Sequence, residues 1–279
     1  MDNKKVWFIT GASKGLGLEL AKKLLAEGFK VAATSRSEEA LIKVLGNSSE
    51  SFLPLEMDLV DEKSVKNAIS KTINHFKTID VLVNNAGYGL LGALEELTDA
   101  ESRKNYEVNV FGLLNVIRNT MPILRANKTG HIFNISSVGG YYGEFPGWGI
   151  YCSTKFAVAG LTESLAAEVK SFGVHATIVY PGYFRTDFLK DSSLLLPQNP
   201  IADYKEVRQS ESAHKDDINE NQPGDPVKLA EALIKASEDQ NPPLHLFLGE
   251  DAYTMANQKI ASVQAELEQW KAVSVSTAL

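Results

Sequence analysis

Short apolar, β-branched runs alternate with amphipathic stretches along nearly the whole chain, and this alternation restricts the fold more than any other feature. The runs that read as strands are Val6–Thr10, Lys30–Thr34, Phe52–Met57, Asp80–Val83, His131–Ile135, Val174–Tyr180 and Leu244–Leu248. Helical patterns lie between them, over Gly15–Glu27, Glu38–Leu45, Asp61–Phe76, Asp99–Arg125, Tyr151–Phe172 and Pro226–Glu238. Such alternation means βαβ units. Right-handed crossovers turn these into an α/β fold: a mostly parallel sheet with helices on both faces. One segment breaks the rhythm. From Asp187 to Asp225 the chain is polar and turn-rich, with Pro197, Pro200, Pro223 and Gly224, so residues 187–225 are expected to form a lid insert. The charged stretch Asp203–Glu220 is expected to stay solvated and mobile. Asp251–Lys271 reads as an amphipathic C-terminal helix, with Met255, Ile260, Val263, Leu267 and Trp270 at helical spacing and a frayed tail to residue 279.

Composition removes several classes of function. A formal net charge of -7 leaves no basic face for nucleic acid. The single cysteine, Cys152, excludes an intrachain disulfide and fits a reducing compartment. The first apolar run, Val6–Ile9, is too short for a signal-peptide core or a bilayer span, so a cytoplasmic location without a membrane partner is expected. No two of His75, His131, His175, His214 and His245 have helical metal-ligand spacing, so no metal is expected.

The first strand runs directly into Thr10-Gly11-Ala12-Ser13-Lys14-Gly15-Leu16-Gly17, which opens a helix. Gly11 allows a tight turn, Gly15 lets backbone approach a phosphate, and Gly17 permits close helix–strand packing. The helix start offers free N–H groups and a positive dipole end to a pyrophosphate. The spacing is G-x-x-x-G-x-G, which is not a P-loop. A glycine turn without ligand is the alternative, and the strand–loop–helix context disfavours it.

Tyr151 and Lys155 are four apart at the start of a helix and share one face. An ammonium beside a phenol favours the phenolate and lowers a tyrosine pKa from about 10. Such a phenol can exchange a proton with a carbonyl or alcohol. Of the 9 tyrosines, only Tyr151 has lysine at the fourth position after it. Ser137 ends the fifth strand, where a hydroxyl can polarise a substrate oxygen. Ser136 competes for that role, but alternation sends the two side chains to opposite faces.

With Asn84-Asn85-Ala86-Gly87 after the fourth strand and Tyr151-Cys152-Ser153-Thr154-Lys155, the glycine loop resembles the short-chain dehydrogenase/reductase superfamily. The likeness runs motif by motif over residues 4–190 and more loosely to about 250. Its nearest branches are the hydroxysteroid/retinol-dehydrogenase-like enzymes and bacterial carbonyl reductases. The resemblance implies one Rossmann-type domain over residues 1–279, doubly wound, with seven strands in the order 3-2-1-4-5-6-7. It implies a nicotinamide cofactor across the carboxyl ends of the strands. On that likeness Gly11, Ser13, Lys14, Gly15, Leu16 and Gly17 belong to the cofactor-binding loop. Asp58 contacts the adenine, with Leu59 following it, and Asn84 ties the central strand. The backbone of Asn85, Ala86 and Gly87 lines the cofactor, and Pro181, Gly182 and Thr186 hold the nicotinamide end. The serine directly before Val-Gly-Gly selects Ser137. Asn109 matches a helix asparagine that links Lys155 to a relay water. The implied catalytic set is Asn109, Ser137, Tyr151 and Lys155, of which Tyr151 and Lys155 also touch the cofactor.

An NAD enzyme places an acid at the end of the second strand, whereas this chain has Ser35 followed by Arg36. Arg36 and Lys14 favour a 2′-phosphate, so NADP(H) is expected, with NAD(H) as the alternative. Tyr141, Tyr142, Phe145 and Trp148 are expected to form one substrate wall, and Tyr183, Phe184, Phe188 and Leu194–Leu196 the other. The expected partner is a small hydrophobic ketone, aldehyde or secondary alcohol. The likeness also implies a homodimer or homotetramer paired through Asp99–Arg125 and Tyr151–Phe172. A non-catalytic NADP(H)-binding redox sensor and a sugar-nucleotide epimerase are the competing readings. The retained catalytic set ranks the sensor lower, and the glycine spacing the epimerase.

Overall fold

The computed structural model describes residues 4–279. In chain order the elements are β1 (Val6–Thr10), α1 (Gly15–Ala26), β2 (Lys30–Ser35), α2 (Glu38–Leu45), β3 (Phe52–Glu56), α3 (Glu62–Phe76), β4 (Val81–Asn84), β5 (Gly89–Leu90), α4 (Asp99–Tyr106), α5 (Leu113–Asn127) and β6 (Gly130–Ile135). There follow α6 (Gly149–Val169), β7 (Val174–Pro181), β8 (Leu194–Leu195), α7 (Lys205–Ser212), α8 (Pro226–Glu238), β9 (His245–Leu248) and α9 (Glu250–Val275). Seven strands form one parallel sheet in the order β3-β2-β1-β4-β6-β7-β9. The two-residue strands β5 and β8 pair apart from it. Among the long strands the order is therefore the expected 3-2-1-4-5-6-7.

Every residue of β1 is buried, because helices cover both faces of the sheet. Strand alternation divides its side chains. Val6 and Phe8 join Leu82, Val65, Val116 and Val158 in the core under α3, α5 and α6. Trp7 and Ile9 join Phe133, Leu20, Leu24, Leu229 and Leu233 in the core under α1 and α8. Helix starts follow local chemistry. Ser37 and Asp61 accept backbone N–H groups, Thr98 and Glu101 form a capping box, and Asp225 caps α8 with Pro226 in its first turn.

Three expectations are corrected. The helix read over Asp99–Arg125 is interrupted by a π-helical turn, Glu107–Gly112, between α4 and α5. The Asp203–Glu220 stretch is not simply solvated. It forms α7 and a second π turn, Ala213–Ile218, burying Val207 and His214. Arg208 on α7 pairs at 2.8 Å with Glu96, whose side chain is wholly buried. The C-terminal helix persists to Val275, but only Ala252 and Ala256 are buried. Ile260, Val263, Leu267 and Trp270 stay exposed. Among the described residues no helix is long and apolar enough to cross a membrane.

Candidate active site

A cleft of about 540 Å³ opens where β1, β4, β6 and β7 end. Its volume is typical of a small-molecule site. The glycine loop forms one end. Gly11 has φ 68°, and a Cβ there would lie 2.8 Å from Ala86 Cα. Asn85 Nδ2 donates to the carbonyls of Thr10 and Gly11 at 2.9 and 3.0 Å, while Asn85 and Ala86 N–H groups donate to Thr10 Oγ1. Gly15 is the open position, since a Cβ there would meet only Thr186, at 3.7 Å. Gly17 lies behind the cleft, where a Cβ would come 2.7 Å from Gly11 O. It packs α1 on the loop and does not line the cleft, so the cofactor contact expected of Gly17 is corrected to a packing role. No side chain caps α1, so its first N–H groups are left for a ligand.

Ser13, Lys14, Leu16, Ser35, Arg36, Asp58 and Leu59 line the end of the cleft next to β2 and β3. Ser35 Oγ is turned back onto Ser37 at the start of α2. Lys14 Nζ donates to the carbonyl and hydroxyl of Ser192 at 3.0 and 2.9 Å. Burial depresses the Lys14 pKa, and the nearby Arg36 guanidinium depresses it further. Among the described residues Arg36 has no ion-pair partner. Two cations thus share a corner without an acid at the end of β2.

At the other end Tyr151 and Lys155 rise from the first turns of α6, both buried. Lys155 Nζ donates to Ile135 O at 2.9 Å and lies 5.8 Å from the Tyr151 ring centre. Ser137 accepts from Gly139 N–H and faces the Tyr151 phenol. Ser136 goes the other way and donates to Lys155 O at 2.9 Å. Asn109 stands in the first π turn. Its Nδ2 donates to Tyr88 O at 3.0 Å and Thr154 Oγ1 at 3.1 Å, and its Oδ1 accepts Tyr88 N–H. A Cβ on Gly87 would come 3.0 Å from Asn109 Oδ1 and 3.5 Å from Lys155 Nζ, so the bare glycine lets the two approach.

The titration differs from expectation. Burial pushes the Tyr151 phenol well above its ordinary value, opposed by the nearby Ser137 hydroxyl. Burial also brings Lys155 down to about 8. In the protein alone the ammonium therefore does not outweigh desolvation of the phenol. Cys152, beside them, is pushed up to about 11 by burial and stays a thiol.

Phe145, Trp148, Tyr183, Phe184 and Phe188 all line the cleft. Trp148 and Phe188 stand 5.4 and 5.7 Å from the Tyr151 ring. Tyr141 does not join them. The 3-10 turn after Ser137 carries it onto Tyr180 and Phe247, at 5.7 and 5.1 Å. Tyr142 likewise stays out, bonded to Glu144. Within residues 187–225, Leu189, Ser192, Ser193, His214 and Gln222, all missed in the sequence, line the cleft. Their polar, charged surroundings carry no signal for this. Pro181, Gly182 and Thr186 lie on the wall beside Gln222. Gln222 Oε1 is buried without a partner, and its Nε2 reaches Thr186 O at 3.4 Å. An unpaired acceptor here, with bare glycines at Gly11, Gly15 and Gly87, fits a bound nicotinamide dinucleotide.

A Rossmann sheet with this loop and a Tyr–Lys pair at its carboxyl edge defines a class of dinucleotide-binding oxidoreductases. The sequence model described as short chain dehydrogenase matches residues 5–194, and the chain belongs to that family. Oxidoreductase BOA17 of Botryotinia fuckeliana is 36% identical over 281 residues, covering 98% of this chain and 99% of that protein. The solved structure of a short-chain dehydrogenase from Streptomyces avermitilis matches with a TM-score of 0.89 and 35% identity, over 98% of this chain and 100% of that one. A short chain dehydrogenase from Burkholderia cenocepacia, solved in complex with NADP, matches with a TM-score of 0.73 and 26% identity, over 96% and 98% of the two chains. The protein is an NAD(P)-dependent oxidoreductase of this family.

Proposed function

We propose that the protein is an NADP(H)-dependent carbonyl reductase acting on a hydrophobic ketone or aldehyde, or on a secondary alcohol in reverse. The observation that carries this reading is the meeting of Tyr151, Ser137 and Lys155 in a cleft walled by Phe145, Trp148 and Phe188. When bound, the cofactor supplies or accepts the hydride. Gly11, Ser13, Gly15, Leu16 and the α1 N-terminus would hold its pyrophosphate, and Arg36 with Lys14 its 2′-phosphate. Asp58, Leu59 and the backbone of Asn85, Ala86 and Gly87 would line it, with Pro181, Gly182 and Thr186 at the nicotinamide.

Ser137 donates a hydrogen bond to the substrate oxygen and polarises the carbonyl. Tyr151 gives that oxygen its phenolic proton during reduction and takes it back during oxidation. Lys155, while charged, limits the rise in the phenol pKa and binds the nicotinamide ribose. Asn109 fixes the Tyr88 backbone beside Lys155 and supports proton resupply. The 187–225 segment acts as a lid that excludes water from a single-domain site. We place the enzyme in the cytoplasm as a homodimer or homotetramer.

A redox sensor would need no such catalytic set. A spectrophotometric panel of aldehydes and ketones with NADPH and with NADH separates the two. Substrate-dependent NADPH oxidation is expected, and a protein that binds NADPH yet oxidises none with any member of the panel would be the sensor instead.

A further inference from the structure

The lid brings one side chain into the cleft that hydride transfer does not use. His214 stands in the second π turn, 7% exposed, with its ring 4.9 Å from Trp148 and 5.8 Å from Tyr183. Both ring nitrogens are engaged. Nδ1 lies 2.7 Å from the Ser210 carbonyl oxygen, which can only accept, so Nδ1 carries the proton. Burial holds the ring's pKa below its ordinary value, and the ring is neutral. Nε2 is therefore an acceptor. Its partner is the Tyr183 hydroxyl at 3.0 Å, which must donate. The single phenolic proton of Tyr183 is thus committed to the lid, and the oxygen presents only lone pairs to the cleft.

Tyr183 lines the same cleft as Tyr151 and Ser137 and lies close enough to influence the Tyr151 phenol electrostatically. It shares the cleft with the aromatic side chains Phe145, Trp148 and Phe188, and beside such apolar groups an acceptor discriminates strongly between groups that can donate to it and groups that cannot. We propose that Tyr183, oriented by His214, is a subsite for a substrate hydroxyl, and that the substrate class is the hydrophobic hydroxy ketones and the corresponding diols. The hydroxyl donates to Tyr183 Oη while the carbonyl meets Ser137 and Tyr151. His214 is a positioning residue: it touches the substrate's partner and sets the direction of that partner's hydrogen bond. This inference rests on the carbonyl reading above.

The test compares a ten-carbon methyl ketone hydroxylated on the α or the β carbon with the methyl ether of each, because the ether accepts but cannot donate. The wild-type enzyme should favour the alcohol over its ether by about tenfold in kcat/KM for one of the two pairs, the discrimination expected of one well-made hydrogen bond. Tyr183→Phe should bring that ratio to within about twofold. In His214→Leu the freed Tyr183 proton turns toward the cleft, and the ether should gain on the alcohol. Ratios taken within one variant cancel any general loss of activity. Titration of the same compounds into Tyr151→Phe with cofactor bound reads the preference without turnover. A wild-type ratio near one for both pairs, or a preference that survives Tyr183→Phe, overturns the subsite. A binding preference with no turnover of any ketone upholds the subsite and overturns the carbonyl-reduction reading.

Discussion

Lys155 is a charge that folding disfavours, and replacing it should reveal by how much. Its side chain is buried, and its pKa falls from 10.5 to about 8, through desolvation. That drop corresponds to about 3 kcal/mol between the protonation states. Below pH 8 both folded and unfolded chains carry the ammonium, so the folded protein bears the whole penalty. As pH rises through 8 the folded chain loses its proton first, and stability climbs until the unfolded lysine also titrates near 10.5. Lys155→Met keeps the length of the stem and removes the titration. It also removes the bond to Ile135 O, worth about 1.5–3 kcal/mol while the amine is charged and less once it is neutral. The two proteins should therefore be of similar stability at pH 7. From there to pH 10 the wild type should gain about 2.5 kcal/mol on the variant, because the other titrating groups are common to both. Urea denaturation of both proteins across this range, without cofactor, gives the difference directly; a ligand bound only by the folded state would add its own pH term. A stability gap that stays constant from pH 7 to 10 would refute a desolvated ammonium at this position.

Tyr151→Phe should lower kcat by about 10²–10⁴-fold, the usual worth of a positioned acid, while the dissociation constant for cofactor measured by fluorescence stays within about threefold. Arg36→Asp should shift the NADPH/NADH ratio of kcat/KM toward NADH by about 10–100-fold, the loss of charged hydrogen bonds to a phosphate. An unchanged ratio would remove Arg36 from the cofactor site. Gly11→Ala should destabilise the fold by about 1–3 kcal/mol in chemical denaturation, since φ is 68° and the new Cβ meets Ala86 backbone. His131 is held neutral by burial, with its pKa brought down to about 3. The stability it contributes is complete above 6.5 and is lost as pH falls toward 3, on the order of 4 kcal/mol, so His131→Gln should flatten the acid limb of the stability profile.

The strands were legible because a central one is covered on both faces and so reads as a nearly continuous apolar run, as Val6–Thr10 does, while in Val174–Tyr180 the run is interrupted by His175 and Thr177. The π turn at Glu107–Gly112 was not, because one extra residue in a turn leaves the local helical pattern almost unaltered while it redirects Asn109. Tyr141 and Phe145 sit in one glycine-rich loop with equal apolar character. Only the 3-10 turn at Val138–Gly140 decides that Tyr141 goes to Tyr180 and Phe145 to the cleft. Over residues 203–220, Val207 and His214 are the buried positions of a stretch whose other side chains are mostly polar. Two inward residues are too few for a periodic signal. The apolar stripe of α9 was visible, but periodicity reports which face is apolar and not what covers it.

The wall that would face the substrate is held by residues distant in sequence, and they meet at Gly182–Phe184. Asp251, in the first turn of α9, accepts the Tyr183 N–H at 2.6 Å. A Cβ on Gly182 would lie 2.2 Å from Asp251 Oδ1, so no side chain fits between them. From the lid, Gly224 N–H donates to Tyr183 O, and Gly224 O accepts Arg185 N–H. The end of β7, the end of the lid and the start of α9 are thereby joined through one short segment. Gly182 was assigned to the cofactor by its motif, but the contact with Asp251 demands glycine on its own. A larger residue there would push Asp251 off the Tyr183 backbone and disturb the hydroxyl that His214 orients. On the proposed reading the bare position would serve the substrate wall as well as the nicotinamide end. Such ties would hold the phenol steadily enough for the proposed subsite to discriminate between ligands.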